Sequence, residues 1–230
     1  MIVFGLSIES EAESVASYAF ADASARAAEH RPRAGIVADG SPLSQRSVGA
    51  FIHRWYELGG EYFAPIETSS ASPAALRALL AGVDADIYFA AIPPEAAVGL
   101  RAAVGDRGVI YGTSALNSGA VPVAEGGEEI RSPELDGVRI IAMPWQVQPD
   151  DPAVMSYARP KSMNVELQKL YALGIDSFRL VRPLLAGQTR IDLDGVTGHL
   201  QLDLALDPHV DRQPLLAEYR DGVLTAIAPR

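Results

Sequence analysis

Residues 34–43 read AGIVADGSPL and contain the unit from which the first part of the chain is built. Five small or apolar residues form a strand pattern, and Asp39-Gly40 has the composition of a turn. Ser41 can cap the free N–H groups of a following helix, and Pro42 suits the first helical position. The stretch therefore predicts a buried strand that turns directly into a helix.

Helices followed by short apolar strands recur between residues 10 and 114. The clearest helix follows Ser41 and places Val48, Phe51 and Trp55 on one face at helical spacing. Strands that are apolar throughout and alternate with helices indicate a parallel sheet covered on both faces. The sequence therefore predicts an α/β fold with a doubly wound parallel sheet. The predicted strands are residues 34–38, 62–66, 86–91 and 108–112.

Composition excludes several classes of protein. Nineteen Lys and Arg residues against 29 Asp and Glu give a net charge of −10, so a nucleic acid partner is not expected. The absence of Cys removes disulfides, thiol nucleophiles and thiolate metal sites. The sequence contains no apolar run of the roughly 18 residues that a membrane-spanning helix needs.

The pattern changes after residue 116. Residues 117–134 are polar and predict a loop, and a long helix is predicted from about Val165 to Leu185. Its apolar residues at helical spacing are Leu167, Leu170, Tyr171, Gly174, Phe178, Val181 and Leu185. Residues 191–227 are predicted to be rich in β structure, with turns at Asp194-Gly195 and Asp221-Gly222.

Five motifs in this order resemble one family. They are FGLSIESEA at residues 4–12, PELDGV at 133–138, MPW at 143–145, LYALGID at 170–176 and GVTG at 195–198. Together they resemble the LppC/LpoA lipoproteins, which activate bifunctional penicillin-binding proteins. The resemblance implies a fold like that of type I periplasmic binding proteins, in which two α/β lobes are joined by crossing strands.

The resemblance also implies a division of the chain. Residues 1–142 are expected to form the second lobe, residues 143–190 to be helices of an incomplete first lobe, and residues 191–230 to cross over and return to the α/β lobe. The lipobox Cys and complete first lobe that family members carry before this region do not occur in the sequence. We therefore expect one complete lobe plus part of a second, and the helices of residues 152–187 to pack on the complete lobe or on a second copy in a homodimer.

Candidate ligand contacts follow the predicted strands, because ligands of open α/β sheets lie beyond the carboxyl ends of the strands. In amino-acid-binding relatives these loops supply ligand contacts, so the resemblance implies the same here. The predicted residues are Asp39, Gly40 and Ser41 after the first strand, Ile92 after the third, and Thr113 and Ser114 after the fourth. Backbone N–H groups near Ser41 could face a carboxylate or phosphate. The alternative is that Ser41 only caps a helix and Ser114 only ends a strand.

The sequence contains little that supports a catalytic or a metal site. Ser114 follows a strand but lacks the second Gly of a nucleophile elbow. Asp203, Asp207, His209 and Asp211 match no zinc or calcium spacing and have the composition of turns. No Walker A or Gly-x-Gly-x-x-Gly motif occurs. We therefore predict a protein that is not an enzyme and that needs neither metal nor cofactor.

Two functions remain open. The first is a regulator of peptidoglycan synthesis that activates a class A, bifunctional penicillin-binding protein through protein contacts. The alternative is a periplasmic solute-binding domain for an amino acid or a similar small metabolite. The resemblance implies a periplasmic location and an outer-membrane anchor on the full-length protein, although the sequence itself contains neither a signal peptide nor a lipobox.

Overall fold

A computed structural model describes residues 1–26, 30–68, 73–119, 130–160 and 163–227. Residues 120–129 of the predicted polar loop lie outside these ranges. The helices are α1 (Ile8–Arg26), α2 (Pro42–Glu57), α3 (Pro73–Leu80), α4 (Pro94–Val104), α5 (Pro144–Val147), α6 (Pro152–Met155) and α7 (Val165–Leu185). The strands are β1 (Arg33–Ala38), β2 (Glu61–Tyr62), β3 (Ile66–Glu67), β4 (Ile87–Ala91), β5 (Val109–Gly112), β6 (Arg139–Ala142), β7 (Arg190–Asp194), β8 (His199–Asp203), β9 (Asp207–Gln213), β10 (Leu215–Arg220) and β11 (Val223–Ala226).

The main sheet has the strand order β11-β10-β6-β5-β4-β1-β2, and β3 also pairs with β1. Strands β1 to β6 pair in parallel, whereas β10 is antiparallel to both β6 and β11. A mostly parallel sheet needs cover on both faces, because its strands are apolar on both sides.

Helices supply that cover. On one face α1 and α2 pack on the sheet, and Phe51 stacks on Phe89 of β4 with ring centroids 4.1 Å apart. On the other face α3 and α4 bury Leu80 and Leu100 against the sheet. The prediction of a doubly wound parallel sheet is confirmed.

A smaller second part lies beside this lobe. Strands β7, β8 and β9 form a separate antiparallel sheet, and Leu180 of α7 packs with Leu200 and Leu202 of β8. The segment after β6 adds a cluster in which Trp145 packs with Ala172 and Val196. The chain thus forms one α/β lobe and part of a second, while the exact division at residues 142 and 190 stays a prediction.

Helix α7 packs through a different face from the one that its apolar pattern predicts. The buried residues of α7 are Lys169, Ala172, Ile175, Asp176 and Leu180. Most of the predicted stripe faces outward, and Phe178 and Leu185 are 73% and 84% exposed, whereas Tyr171 packs beside Trp145. The first alternative, that this stripe packs on the lobe, is therefore wrong, because the face with Ala172, Ile175 and Leu180 makes those contacts. Packing of the stripe on a second copy stays a prediction.

None of the described helices combines the length and the apolarity that crossing a membrane requires.

Candidate functional site

The carboxyl ends of β1, β4 and β5 meet at one edge of the main sheet and border a cavity of about 170 Å³. The cavity is lined by Ile8, Asp39, Ser41, Leu43, Ser44, Ser47, Ala91, Ile92, Pro93, Pro94, Thr113 and Ala115. Among the predicted ligand residues, Asp39, Ser41, Ile92 and Thr113 are thus brought together. Gly40 and Ser114 do not line the cavity.

A carboxylate of the chain itself already occupies the start of α2. The Ser41 N–H donates to Asp39 Oδ1 at 2.9 Å, and Ser41 Oγ accepts from the Ser44 N–H at 3.2 Å. Burial opposes ionisation of Asp39, but hydrogen bonds from Ser41 and Ser44 hold the pKa of its carboxyl below the usual value. A fixed negative charge here disfavours the carboxylate or phosphate that the sequence predicts and favours a ligand with N–H donors.

Two further Ser residues of α2 border the cavity. Ser44 Oγ donates to the carbonyl oxygen of Ala91 at 2.6 Å. Ser47 is 2% exposed, and its Oγ has no hydrogen-bond partner among the described residues. A buried hydroxyl without a partner costs free energy, so Ser47 is a natural contact for a polar ligand. Ser41, Ser44 and Ser47 recur every third residue, a spacing that places them on one helix face and could have identified them from sequence.

Ser114 belongs to a buried network instead. Its N–H donates to Glu11 Oε2 at 2.9 Å, and its carbonyl oxygen accepts from Lys169 Nζ at 3.3 Å. Glu11 also pairs with Arg212 at 3.3 Å. This network connects α1, the end of β5, α7 and the end of β9. Sequence analysis missed Glu11, Lys169 and Arg212, because no local spacing links residues so far apart in the chain.

The site offers binding chemistry more readily than catalysis. Ser114 Oγ hydrogen-bonds to no other side chain in the described part of the chain, so the general base that a nucleophilic Ser requires is not in contact with it. Within the described ranges, no three His, Asp or Glu side chains lie close enough together to hold a metal ion. The prediction that Asp207, His209 and Asp211 lie in a turn is wrong, because they belong to β9, where Asp207 pairs with His209 at 2.5 Å.

Comparison with solved structures supports the fold assignment. A structure described as a "putative branched-chain amino acid ABC transporter" from Chromobacterium violaceum ATCC 12472 is 33% identical, with a TM-score of 0.71. The match covers 93% of this chain and 65% of that one, so the chain spans less than two thirds of that relative.

Two structures of LpoA from Haemophilus influenzae are also similar. The C-domain, described as a regulator of PBP1A, matches at 21% identity and a TM-score of 0.72, over 98% of this chain and 68% of that one. Full-length LpoA matches at 21% identity and a TM-score of 0.71, over 97% of this chain and 40% of that one. At this identity the likeness establishes the fold.

A family model settles the family. No curated protein sequence matches the chain. The model described as "LppC putative lipoprotein" matches residues 82–222, which is more than half of the sequence and includes four of the five motifs singled out above. The resemblance seen in the sequence is confirmed, and the chain belongs to the LppC lipoprotein family.

Proposed function

We propose that this protein is a non-catalytic regulator that activates a class A, bifunctional penicillin-binding protein through protein contacts. Membership of the LppC family carries the proposal. The similar C-domain described as a regulator of PBP1A supports it. Among the described residues no side-chain base contacts Ser114 Oγ, which is consistent with a role in binding.

The exposed stripe of α7 is the proposed contact surface. Leu167, Leu170, Phe178, Val181 and Leu185 are all at least 46% exposed and follow one another along the helix. A contiguous apolar surface of this kind is typical of a site of protein association. The same stripe could instead support the homodimer that the sequence predicts.

A binding experiment tests the proposal. Purified chain immobilised on a biosensor is exposed to each class A penicillin-binding protein encoded by the same genome. We expect saturable binding to at least one of them, and we expect Phe178→Glu with Leu185→Glu to weaken it at least about tenfold, because exposed aromatic and aliphatic anchors dominate such interfaces.

A matched variant controls for the added charge. Ser177→Glu with Gln188→Glu places the same two charges near α7 outside the stripe, and binding should stay within about twofold of the original because rim charges contribute little. If none of the synthases binds, the proposed function is wrong. If the chain instead forms a dimer that only the stripe variant disrupts, the stripe belongs to the homodimer.

The proposed location follows the family. Because the family consists of lipoproteins, we propose that the full-length protein is periplasmic and anchored to the outer membrane. Fractionation of cells producing the full-length protein should place it with outer-membrane lipoproteins, and recovery from the cytosolic fraction would contradict this location.

A second candidate function is solute binding in the cavity at the strand ends. Ser47 Oγ, which has no hydrogen-bond partner within the described ranges, and the ionised Asp39 favour it, since together they suit a small ligand that carries an amino group. The similarity to the transporter structure from Chromobacterium violaceum adds support.

A thermal-shift screen with the twenty amino acids tests this function. A ligand at one hundred times its dissociation constant stabilises the folded state by about 2.7 kcal/mol, which is readily detected. The shift should be reduced in Asp39→Asn, while Asp84→Asn, a strongly exposed carboxylate away from the cavity, should leave it unchanged. Absence of a shift for every amino acid would exclude them as ligands.

A further inference from the structure

A larger cavity is lined by residues of both the lobe and the smaller second part. Its volume is about 620 Å³, which is in the range of small-molecule binding sites. It lies on the sheet face that α1 and α2 cover over β1, β4 and β5. Residues of β6 and β10 border it from the outer strands, and Ala21 and Ala25 of α1 line it from the helix. This cavity, called the groove from here on, therefore lies beside α1, where that helix stops covering the outer strands β6 and β10.

One end of the groove offers unused guanidinium donors. Arg139 donates to Glu218 at 2.7 Å, to Asp22 at 2.8 Å and to the Tyr111 hydroxyl at 2.9 Å, but its Nη2 makes no hydrogen bond within the described residues. Arg220 donates through Nε to Glu218 at 3.0 Å, and both of its Nη atoms are likewise free of partners in the described part of the chain. These N–H groups suit a planar carboxylate.

The acidic groups at this end are already committed to the chain. Asp22 Oδ2 accepts from Tyr111 at 2.5 Å and from Arg26 at 2.8 Å in addition to Arg139. Burial raises the pKa of Glu218, but hydrogen bonds from Arg139 and Arg220 outweigh it and hold this pKa below its usual value. The carboxylates of Asp22 and Glu218 thus have partners within the chain, and the remaining Nη donors of Arg139 and Arg220 are the groups that can bind an anion.

The opposite end carries carboxylates with unused oxygens. Asp151 Oδ1 accepts from the Ala153 N–H at 2.8 Å, and Asp194 Oδ1 pairs with His199 at 2.8 Å. The Oδ2 atom of each makes no hydrogen bond within the described residues. Both residues line the same groove, so this end suits a cation.

The register of β10 gives the length of the groove along that strand, between Leu215 and Arg220, which both line it. Leu215 pairs with Ala142, just before the segment that leads to Asp151, and Glu218 pairs with Arg139. Arg220 lies five residues beyond Leu215 along the strand, which corresponds to roughly 17 Å at about 3.3 Å per residue. An extended chain of about five residues has the same length.

The wall between the charged ends is largely apolar. Ala21 and Ala25 lie on the helix side, and Pro214, Leu216 and Ile227 lie on the strand side. A simple fatty acid would satisfy the arginines but would place its tail beside Asp151 and Asp194. A zwitterion with an apolar middle matches both ends and the wall.

We propose that this groove binds a short apolar peptide of about five residues with free termini, its carboxylate on Arg139 and Arg220 and its ammonium at Asp151 and Asp194. The site is separate from the strand-end cavity, and it does not depend on the proposed regulation of a penicillin-binding protein.

Four forms of one peptide test the charges. Isothermal titration of the full chain is performed with the pentapeptide Ala-Leu-Ala-Leu-Ala, its C-terminal amide, its N-acetyl form and the doubly blocked form. We expect the free peptide to bind with one-to-one stoichiometry, and blocking either terminus to weaken binding at least about fivefold, because each removes a charge-assisted contact. Decanoate, which lacks the ammonium, should bind more weakly than the free peptide.

Variants locate the peptide. In Arg220→Gln the free peptide should bind only as well as its amide does, whereas the amide itself should be unaffected, which is the pattern of a direct pairwise contact. Ala21→Trp should abolish binding by filling the groove. Ser24→Trp adds the same side chain at an exposed position of α1 outside the groove and should bind normally.

Four results would overturn the proposal, and three of them concern the peptide. These three are no saturable binding of the free peptide, equal binding of the free and doubly blocked peptides, and unchanged binding to a correctly folded Ala21→Trp protein. Tighter binding of decanoate than of the peptide would also overturn it, in favour of an anionic amphiphile.

Discussion

A single buried carboxylate explains why the GVTG motif has its composition. Asp176 is fully buried and accepts hydrogen bonds from the Val196 N–H at 3.0 Å, the Thr197 N–H at 2.7 Å and the Thr197 hydroxyl at 2.7 Å. A Cβ on Gly195 would lie 2.5 Å from Asp176 Oδ2. Gly198 has φ +144°, and a Cβ there would lie 2.5 Å from the carbonyl oxygen of Gln213. The end of the LYALGID motif thus holds the GVTG motif.

Removing this carboxylate should destabilise the fold. Asp176→Ala leaves three buried donors without an acceptor, and we expect the free energy of unfolding to fall by about 2–4 kcal/mol. Urea denaturation followed by circular dichroism measures it. Asp192→Ala, a mostly exposed carboxylate on β7, is the matched control and should stay within about 0.5 kcal/mol of the original. Equal effects of the two variants would contradict the anchoring role of Asp176.

At the scale of single residues, the sequence predicted which residues border the strand-end cavity better than it predicted the contacts that each of them makes. The motifs pointed to the family, and the strand-end positions Asp39, Ser41, Ile92 and Thr113 do share one cavity. The sequence also predicted that Ser41 caps α2. That Asp39 accepts a hydrogen bond from the Ser41 N–H could not be foreseen, because this contact depends on side-chain rotation. The contact of Glu11 with Ser114 depends on how α1 packs across the sheet.

Helix α7 illustrates how an apolar pattern can mislead about a whole element. The spacing of apolar residues correctly predicted the helix and its length. However, two faces of α7 carry apolar residues at helical spacing. The smaller face, with Ala172 and Ile175, packs beside Trp145, while Phe178 stays exposed. Pattern alone cannot choose between the faces, because small residues allow a closer approach to a neighbouring element.

An exposed glycine in this helix gives a direct test of its packing. Gly174 lies on the outward face, and a Cβ there would meet nothing within 4 Å. Gly174→Ala should therefore stabilise the protein by about 0.5–1 kcal/mol, because Ala loses less backbone entropy than Gly in a helix. Thermal denaturation of the two proteins measures the gain. A loss of stability would mean that residue 174 packs against the chain.

The contact between α1 and α2 should be visible in a titration. A hydrogen bond from Arg46 to Glu9 is the main reason why the pKa of Glu9 falls to about 2, from an ordinary value of 4.5. Since the folded-state pKa is the lower one, the contact stabilises the fold above about pH 4.5 and is lost as the pH falls toward 2. NMR titration of the Glu9 carboxyl should give the low pKa in the original protein.

Arg46→Gln provides the control for that titration. The pKa of Glu9 should move back toward its ordinary value, and stability at neutral pH should fall by no more than about 1 kcal/mol, because the pair is largely exposed. An unchanged Glu9 pKa in Arg46→Gln would show that another group holds this carboxylate.

For the whole molecule, alternation of helices and apolar strands was sufficient to predict the doubly wound sheet. The sequence predicted that residues 191–230 return to the lobe, but not that β10 and β11 add to its sheet as antiparallel strands. It gave no prediction of the groove beside α1. The groove results from where α1 ends its cover of β6 and β10, which is a property of packing in three dimensions. Charges as distant in sequence as Arg139 and Asp194 become one site only in that arrangement.

The proposed activation of peptidoglycan synthesis, through binding to a class A penicillin-binding protein, can be measured with purified proteins. The most direct measurement is the rate of glycan polymerisation and cross-linking by the purified synthase at increasing concentrations of the chain. We predict a rate that rises and saturates, and that does not rise with Phe178→Glu and Leu185→Glu. A rate that stays constant at every concentration, for each class A synthase of the same genome, would contradict the claim.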